Sequence, residues 1–410
     1  MRLYREDVVR GTCNSIRKAA IPLCGLLMLV VSGCGGGDGG GTAQPFEILY
    51  SFGSSPTDAT APDGKLTQGT DGNFYGATSN GGASGKGVVF KITPVGDENL
   101  LHSFTGSPSD GASPDNLELI RGSDGNFYGT TPAGGVNGHG TIFMLTPEGV
   151  ETVLYSFAGG TGDGALPFYG LVQGSDGNFY GTTLTGGLNN TGTVFKFTSA
   201  GVETILYSFA PFGGVAATSL NAALLQGSDG NLYGMSSNGG ANQHGTVFRI
   251  TTAGALMVLH SFGSSSSGDG IQPNIRLIFG SDGNLYGTTT NGGANGLGTV
   301  FKVTPAGAET VLYSFAEQPG DGNNPEGGLV QGSDGNFYGT TAFGGANDLG
   351  IVFKLTPDGV ETVLYSFTGS PDDGSRPIGN MVEGSDGNLY GTTSNGGASN
   401  KGTFFRIAVN

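Results

Sequence analysis

Residues 174–183 read Gly-Ser-Asp-Gly-Asn-Phe-Tyr-Gly-Thr-Thr, and the Asp-Gly-Asn at their centre recurs from Asp71, Asp124, Asp176, Asp229, Asp282, Asp334 and Asp386. Successive intervals are 53, 52, 53, 53, 52 and 52 residues. A fixed period of this length means one supersecondary unit copied and stacked, so the chain must be read as a repeat before any residue is read as a site.

Working outward from the turn, the third copy shows four short apolar segments: residues 170–173, 179–183, 193–198 and 203–209. Each is rich in β-branched or aromatic residues and bounded by Gly, Asn, Asp or Pro, the signature of a strand. No window carries an apolar 3.6-residue period with caps, so almost no helix is expected. The 81 glycines among 410 residues fall at regular turn positions and do not mark low complexity. Apolar residues occupy both alternation phases of the third and fourth segments, as expected of sheets covered on both faces. The fold expected is all-β: a seven-bladed β-propeller with four antiparallel strands per blade. A β-solenoid is the competing fold, but its coils are shorter and need no three hairpin turns per unit.

The ends of the chain bear on ring closure. The motif Leu-(Tyr/His)-Ser-Phe starts at Leu49, Leu101, Leu154, Leu206, Leu259, Leu312 and Leu364, so its first copy precedes the first Asp-Gly-Asn turn. The last unit stops at Phe404-Phe405-Arg406-Ile407 without a fourth strand. The N-terminal strand is therefore expected to complete the C-terminal blade, which removes two exposed sheet edges.

Ahead of the repeats, Arg2, Arg5, Arg10, Arg17 and Lys18 form a basic segment followed by the apolar run 19–31 and Val31-Ser32-Gly33-Cys34. This has the layout of a cleaved targeting segment and is kept out of the fold. Its end resembles a bacterial lipobox, which implies lipidation at Cys34 and an envelope location, outer membrane or cell surface. The domain plan expected is a lipoprotein signal peptide over 1–33, a lipidated Cys and Gly-rich tether over 34–45, and the repeat domain over 46–410. Cleavage would remove Cys13 and Cys24, leaving no thiol pair for a disulfide or a metal site. Without 1–33 the chain keeps 12 basic and 31 acidic residues, a net charge of −19. Such a surface repels nucleic acid and anionic headgroups. The expected partners are the membrane through the lipid, and a glycan or protein ligand; the chain is expected to be a monomer.

The run Gly-Ser-Asp-Gly-Asn-(Phe/Leu)-Tyr-Gly-Thr-Thr, then Gly-Gly-Ala-Asn, then Gly-Thr-Val-Phe-Lys-Leu-Thr-Pro, then Glu-Thr-Val-Leu-Tyr-Ser-Phe resembles the bacterial GloVer tandem repeat. The resemblance covers about residues 46–410, with every unit matching. It implies a secreted or surface-anchored repeat protein, and the family brings no established activity.

Seven near-identical Ser-Asp-Gly-Asn turns suit tight hairpins better than an active site, which needs one copy to differ. A second motif, Asp-(Gly/Ala)-x-x-Pro, starts at Asp58, Asp110, Asp163, Asp269, Asp321 and Asp373. Carboxylates in Gly-rich loops could hold Ca²⁺, so Asp110, Asp163, Asp269, Asp321 and Asp373 are candidate calcium ligands, against a plain turn role. Chain order places these connecting loops and the Gly-Gly-Ala-Asn loops on one face of the ring, where the copies differ. One aligned loop position reads Lys86, His139, Thr191, His244, Leu297, Leu349 and Lys401, with Phe168, Tyr169, Phe212 and Phe343 as aromatic departures nearby. These are the candidate ligand-binding residues, because binding groups favour loops on a rigid scaffold. His102 and His260 replace Tyr in the fourth strand and read as packing residues. No Gly-x-Ser-x-Gly elbow, His-Glu-x-x-His or phosphate loop occurs, and no catalytic residue is assigned. The expected function is a binding or interaction module; the alternatives are an extracellular hydrolase, lyase or lactonase on the loop-rich face, or a structural, adhesive protein.

Overall fold

The computed structural model describes residues 46–210, 217–218, 220, 222–263, 268–316 and 319–409. The expected signal segment and tether, with Cys34, and Phe212 lie outside the described residues. Seven sheets follow the seven turns, and no helix occurs among the described residues. The first blade is typical, with strands Thr67–Gln68, Phe74–Thr78, Val88–Ile92 and Glu98–Ser103 hydrogen-bonded in that order, all antiparallel. The seventh blade takes its fourth strand from the other end of the chain. Phe46–Ser51 pairs antiparallel with Thr403–Ile407, matching Phe46 to Ile407 and Ser51 to Thr403. The swapped closure expected from the offset of the two motifs is therefore present.

The first strand is only two residues long in every blade but the fifth, as in Val172–Gln173, and lies innermost; the fourth strands form the outer edge. Period-2 alternation turns Phe90, Ile92 and their counterparts into the interfaces between blades, where they are fully buried. Aromatic pairs bridge successive blades: Tyr75 meets Phe127 at 4.2 Å between centroids, and Tyr390 meets Phe74 at 4.3 Å across the closing seam. Aromatic pairs at this spacing contribute about 0.5–1.5 kcal/mol each beyond the area they bury. On the turn face, inner-strand glutamines hold neighbouring blades together. The amide N–H of Ser123 donates to Gln173 Oε1, and that of Ser385 donates to Gln68 Oε1 across the seam.

One set of elements is absent from the sequence reading. The connecting segments and Gly-Gly loops, read as loops alone, also pair as two-residue ribbons, for example Ala59–Thr60 with Asn80–Gly81 and Gly164–Ala165 with Thr185–Gly186. In the fifth blade the ribbon merges with the sheet, giving strands Gly270–Phe279 and Leu285–Gly292. Glycine and asparagine are poor strand formers. Here they pair through close backbone approach: a Cβ on Gly81 would run into the Asp58 carbonyl oxygen, which accepts a hydrogen bond from the Gly82 N–H.

Candidate functional site

The Asp-Gly-Asn turns are built identically. In the third blade Asp176 accepts hydrogen bonds from the Asn178 amide N–H (3.1 Å), Asn178 Nδ2 (2.7 Å) and the Tyr180 hydroxyl (2.7 Å). Gly177 takes φ +79°, the left-handed region that favours glycine. The same Tyr–Asp bond recurs in all seven blades, from Tyr75–Asp71 to Tyr390–Asp386. Burial pushes the Asp176 carboxyl up, but the hydrogen bonds from Asn178 and Tyr180 outweigh it and hold the group below its ordinary range. The turn carboxylates are thus engaged in their own hairpins.

The connecting-loop carboxylates are likewise bound to protein donors. Asp163 accepts from the Tyr155 hydroxyl (3.0 Å), the Ala158 N–H (2.6 Å) and the Gly164 N–H (2.7 Å). Asp321 and Asp373 repeat this with Tyr313 and Tyr365. At Asp110 and Asp269 the partner is His102, at 3.2 Å, and His260, at 3.4 Å. The aligned loop position lies once per blade around the rim, so its residues are not brought together. Lys86, His139, His244, Leu297, Leu349 and Lys401 each accept, through the backbone carbonyl, a hydrogen bond from the next connecting segment. Thr191 donates its hydroxyl to the Phe209 carbonyl at 2.6 Å. Phe343 carries the Arg376 guanidinium 5.2 Å from its centroid, and Phe168 is half-buried.

Of the sequence-expected residues, Tyr169 alone lines the central channel. There the inner strands of six blades converge on a cavity of about 20 Å³ bounded by Asp63, Lys65, Asn116, Glu118, Arg276 and Asn380 with Tyr169. That is room for about one water molecule. Strand order places this ring toward the connecting-loop face, because Lys65 lies two residues before Thr67 and the turn follows Gln68. Lys65 Nζ sits 2.8 Å from Glu118 Oε1, and Arg276 Nη1 meets Glu118 Oε2. Two cations therefore share one carboxylate. Burial, and then the Arg276 charge, push the Lys65 ammonium well below its ordinary value; burial also pulls Arg276 down to about 10. Asp63 is pushed up to about 7 by burial and by the charge of Asp115, and its Oδ1 has no hydrogen-bond partner.

The sequence reading missed this ring, although a signal for it exists. The residue just before each inner-strand Leu or Met reads Lys65, Glu118, Gly170, Ala223, Arg276, Gly328 and Asn380. Leu66 and its counterparts are buried between blades. Alternation then directs their neighbours to the channel. Its copies differ in charge, polarity and size.

The profile of the Gloeobacter/Verrucomicrobia repeat matches residues 38–221 and 212–405. No curated protein matches the chain. Among solved structures, streptogramin B lyase is 19% identical, with 89% of this chain and 97% of that one aligned at a TM-score of 0.57. Virginiamycin B lyase from Staphylococcus aureus is 16% identical over 89% of this chain and 100% of its own, TM-score 0.57. The extracellular domain of a B. thetaiotaomicron protein assigned to the hybrid two-component systems is 10% identical over 90% of this chain and 41% of its own, also at 0.57. At these identities the likeness is one of fold alone.

Proposed function

We propose that this chain, which belongs to the Gloeobacter/Verrucomicrobia repeat family, is a binding propeller that takes an anionic group at the connecting-loop end of its channel. The observation that carries the reading is the pair Lys65 and Arg276 sharing the single carboxylate of Glu118. Buried cations without full pairing favour an added anion, and a carboxylate matches the fork of Arg. The cavity holds about one water, so a larger ligand would insert one acidic tip between Lys65 and Arg276. The rest of it would lie among the loops. The Lys65 side chain keeps 28% of its surface exposed, which leaves it reachable. In an acidic chain this gathers two basic side chains at one point, beside Glu118 and Asp63, and selects acidic ligands by position. The lipobox at Cys34 supports placing the propeller on the cell envelope, where acidic glycans are a ligand class of this chemistry.

Calorimetric titration of the mature chain with uronic-acid oligosaccharides and with neutral oligosaccharides tests the reading. Acidic chains are expected to bind, and Lys65→Gln or Arg276→Gln to weaken them by more than about tenfold each. Equal binding of neutral chains, or binding indifferent to both substitutions, would overturn it.

A second reading rests on Asp63. A carboxyl held near neutral pH in a cleft beside a depressed lysine suits proton transfer. Turnover of an acidic glycan that is abolished by Asp63→Asn would make the chain an enzyme; binding without turnover would leave the first reading standing.

A further inference from the structure

Between the outer strands of successive blades, three positions meet: the Tyr or His of the fourth strand, the Asp of the connecting loop, and the first residue of the next blade's fourth strand. At three interfaces they are Tyr, Asp and Glu, as in Tyr155, Asp163 and Glu203. At the interface of the sixth and seventh blades Phe46 takes the third place and stacks on Tyr365 at 3.6 Å. At two interfaces, three blades apart, the tyrosine is replaced by histidine while both carboxylates remain. These sets are His102, Asp110 and Glu151, and His260, Asp269 and Glu309.

We propose that these two sets are sites for a divalent transition-metal ion of the zinc class. In each set one ligand atom per residue lies within 4.8 Å of the other two. Bonds of about 2.0–2.2 Å in a tetrahedral site put ligand atoms roughly 3.3–3.6 Å apart. The histidine Nε2 and aspartate Oδ2 already stand at 3.2 Å in the first set and 3.4 Å in the second. A small inward movement of the glutamate completes the three-ligand set and leaves a fourth position for water. Glu151 Oε1 and Glu309 Oε1 are buried and without a hydrogen-bond partner, as are Glu98, Glu203 and Glu361 Oε1 at the tyrosine interfaces, and only at the first two is an imidazole in the set to join them on a metal. Imidazole with two carboxylates selects zinc, nickel or manganese over calcium, which takes oxygen donors only. The tyrosine interfaces keep the same carboxylates with a phenol in place of the imidazole and are the internal control.

The test uses that control. His102→Tyr and His260→Tyr each restore a residue that the repeat already carries beside Asp58, Asp163, Asp321 and Asp373, so the fold tolerates them. Titrating the full mature chain with zinc should give two ions bound per chain, each single variant one, and the double variant none, with the metal-free melting temperature unchanged. Glu151→Gln should weaken one site by more than about 10-fold, since even outer partners of a metal cost that much when lost. Absence of saturable zinc binding by the parent chain would overturn the proposal. So would two ions bound by the double variant, which would place the metal at His139 and His244 or on surface carboxylates.

Discussion

Two rings of seven positions run around this molecule, one copy per blade, and they obey opposite rules. The ring of turn residues, Asp176 with Asn178 and Tyr180 and their counterparts, repeats the same bonds seven times. The channel ring carries Lys65, Glu118, Gly170, Ala223, Arg276, Gly328 and Asn380, drawing its charges from the first, second and fifth blades. The turn ring closes hairpins locally, so each copy needs the same chemistry and none depends on its position around the axis. The channel ring is where six of the seven blades face one another across a small space, so identical residues there would crowd like charges or voids together. Regularity builds the propeller, and departures from it are needed to fill its axis.

The largest effect expected from that contrast is at Glu118. Glu118→Gln removes the one carboxylate shared by Lys65 and Arg276 and should destabilise the protein by about 3 kcal/mol, the lower end for breaking a buried pair, because Lys65 is partly exposed. Chemical denaturation measures it. Ala223→Gly, at an equivalent position, removes no partner of a buried cation, so a loss there as large as at Glu118 would show that packing and not charge pairing governs the channel.

How much of this was legible before any coordinates follows from the same contrast. Asp176, Tyr180 and Leu206 could be placed because seven copies reinforce one pattern, and the offset of Leu49 against Asp71 revealed the swapped seam. Lys65 and Arg276 share no residue type with their counterparts, so a search for recurring motifs passes over them. The alternation that buries Leu66 and turns Lys65 inward was nevertheless available. The expected ligand position, from Lys86 to Lys401, varies for a simpler reason: its backbone carbonyls hold the next blade's connection, while most of its side chains face solvent or pack locally. The ribbons were hidden because Gly81 and Gly186 carry no strand propensity, and their pairing rests on a backbone approach that leaves no room for a Cβ.

A middle-sized effect is expected at the turns, and it should be uniform. Asp176→Ala removes three hydrogen bonds at a largely solvated hairpin and should cost about 1–2 kcal/mol. Asp282→Ala should cost the same within about 0.5 kcal/mol, since its bonds to Asn284 and Tyr286 agree with those of Asp176 within 0.2 Å. Unequal losses in thermal unfolding would break the equivalence of the turn ring.

The smallest effect per group is spread over many groups and separates the two kinds of carboxylate by pH. Glu98, Glu151, Glu203, Glu309 and Glu361 are each pushed from the ordinary 4.5 to about 7, chiefly by burial and then by a neighbouring Asp charge. A carboxyl with a raised folded pKa holds its proton more tightly when folded. Its contribution to stability is complete below about 4.5 and is lost as pH rises through about 7. The turn aspartates behave oppositely: hydrogen bonds hold them low despite burial, so their contribution is present above about 3.8 and is lost as pH falls below it. The melting temperature of chelator-treated protein should therefore peak between about pH 4 and 5 and decline toward pH 8. Glu203→Gln, at an interface without histidine, should flatten part of that decline, whereas Asp176→Asn should leave the slope between pH 5 and 8 unchanged. A melting temperature that rises from pH 5 to 8 would mean that the outer-strand glutamates are ionised in the folded ring, held by a cation or by water that relieves their burial.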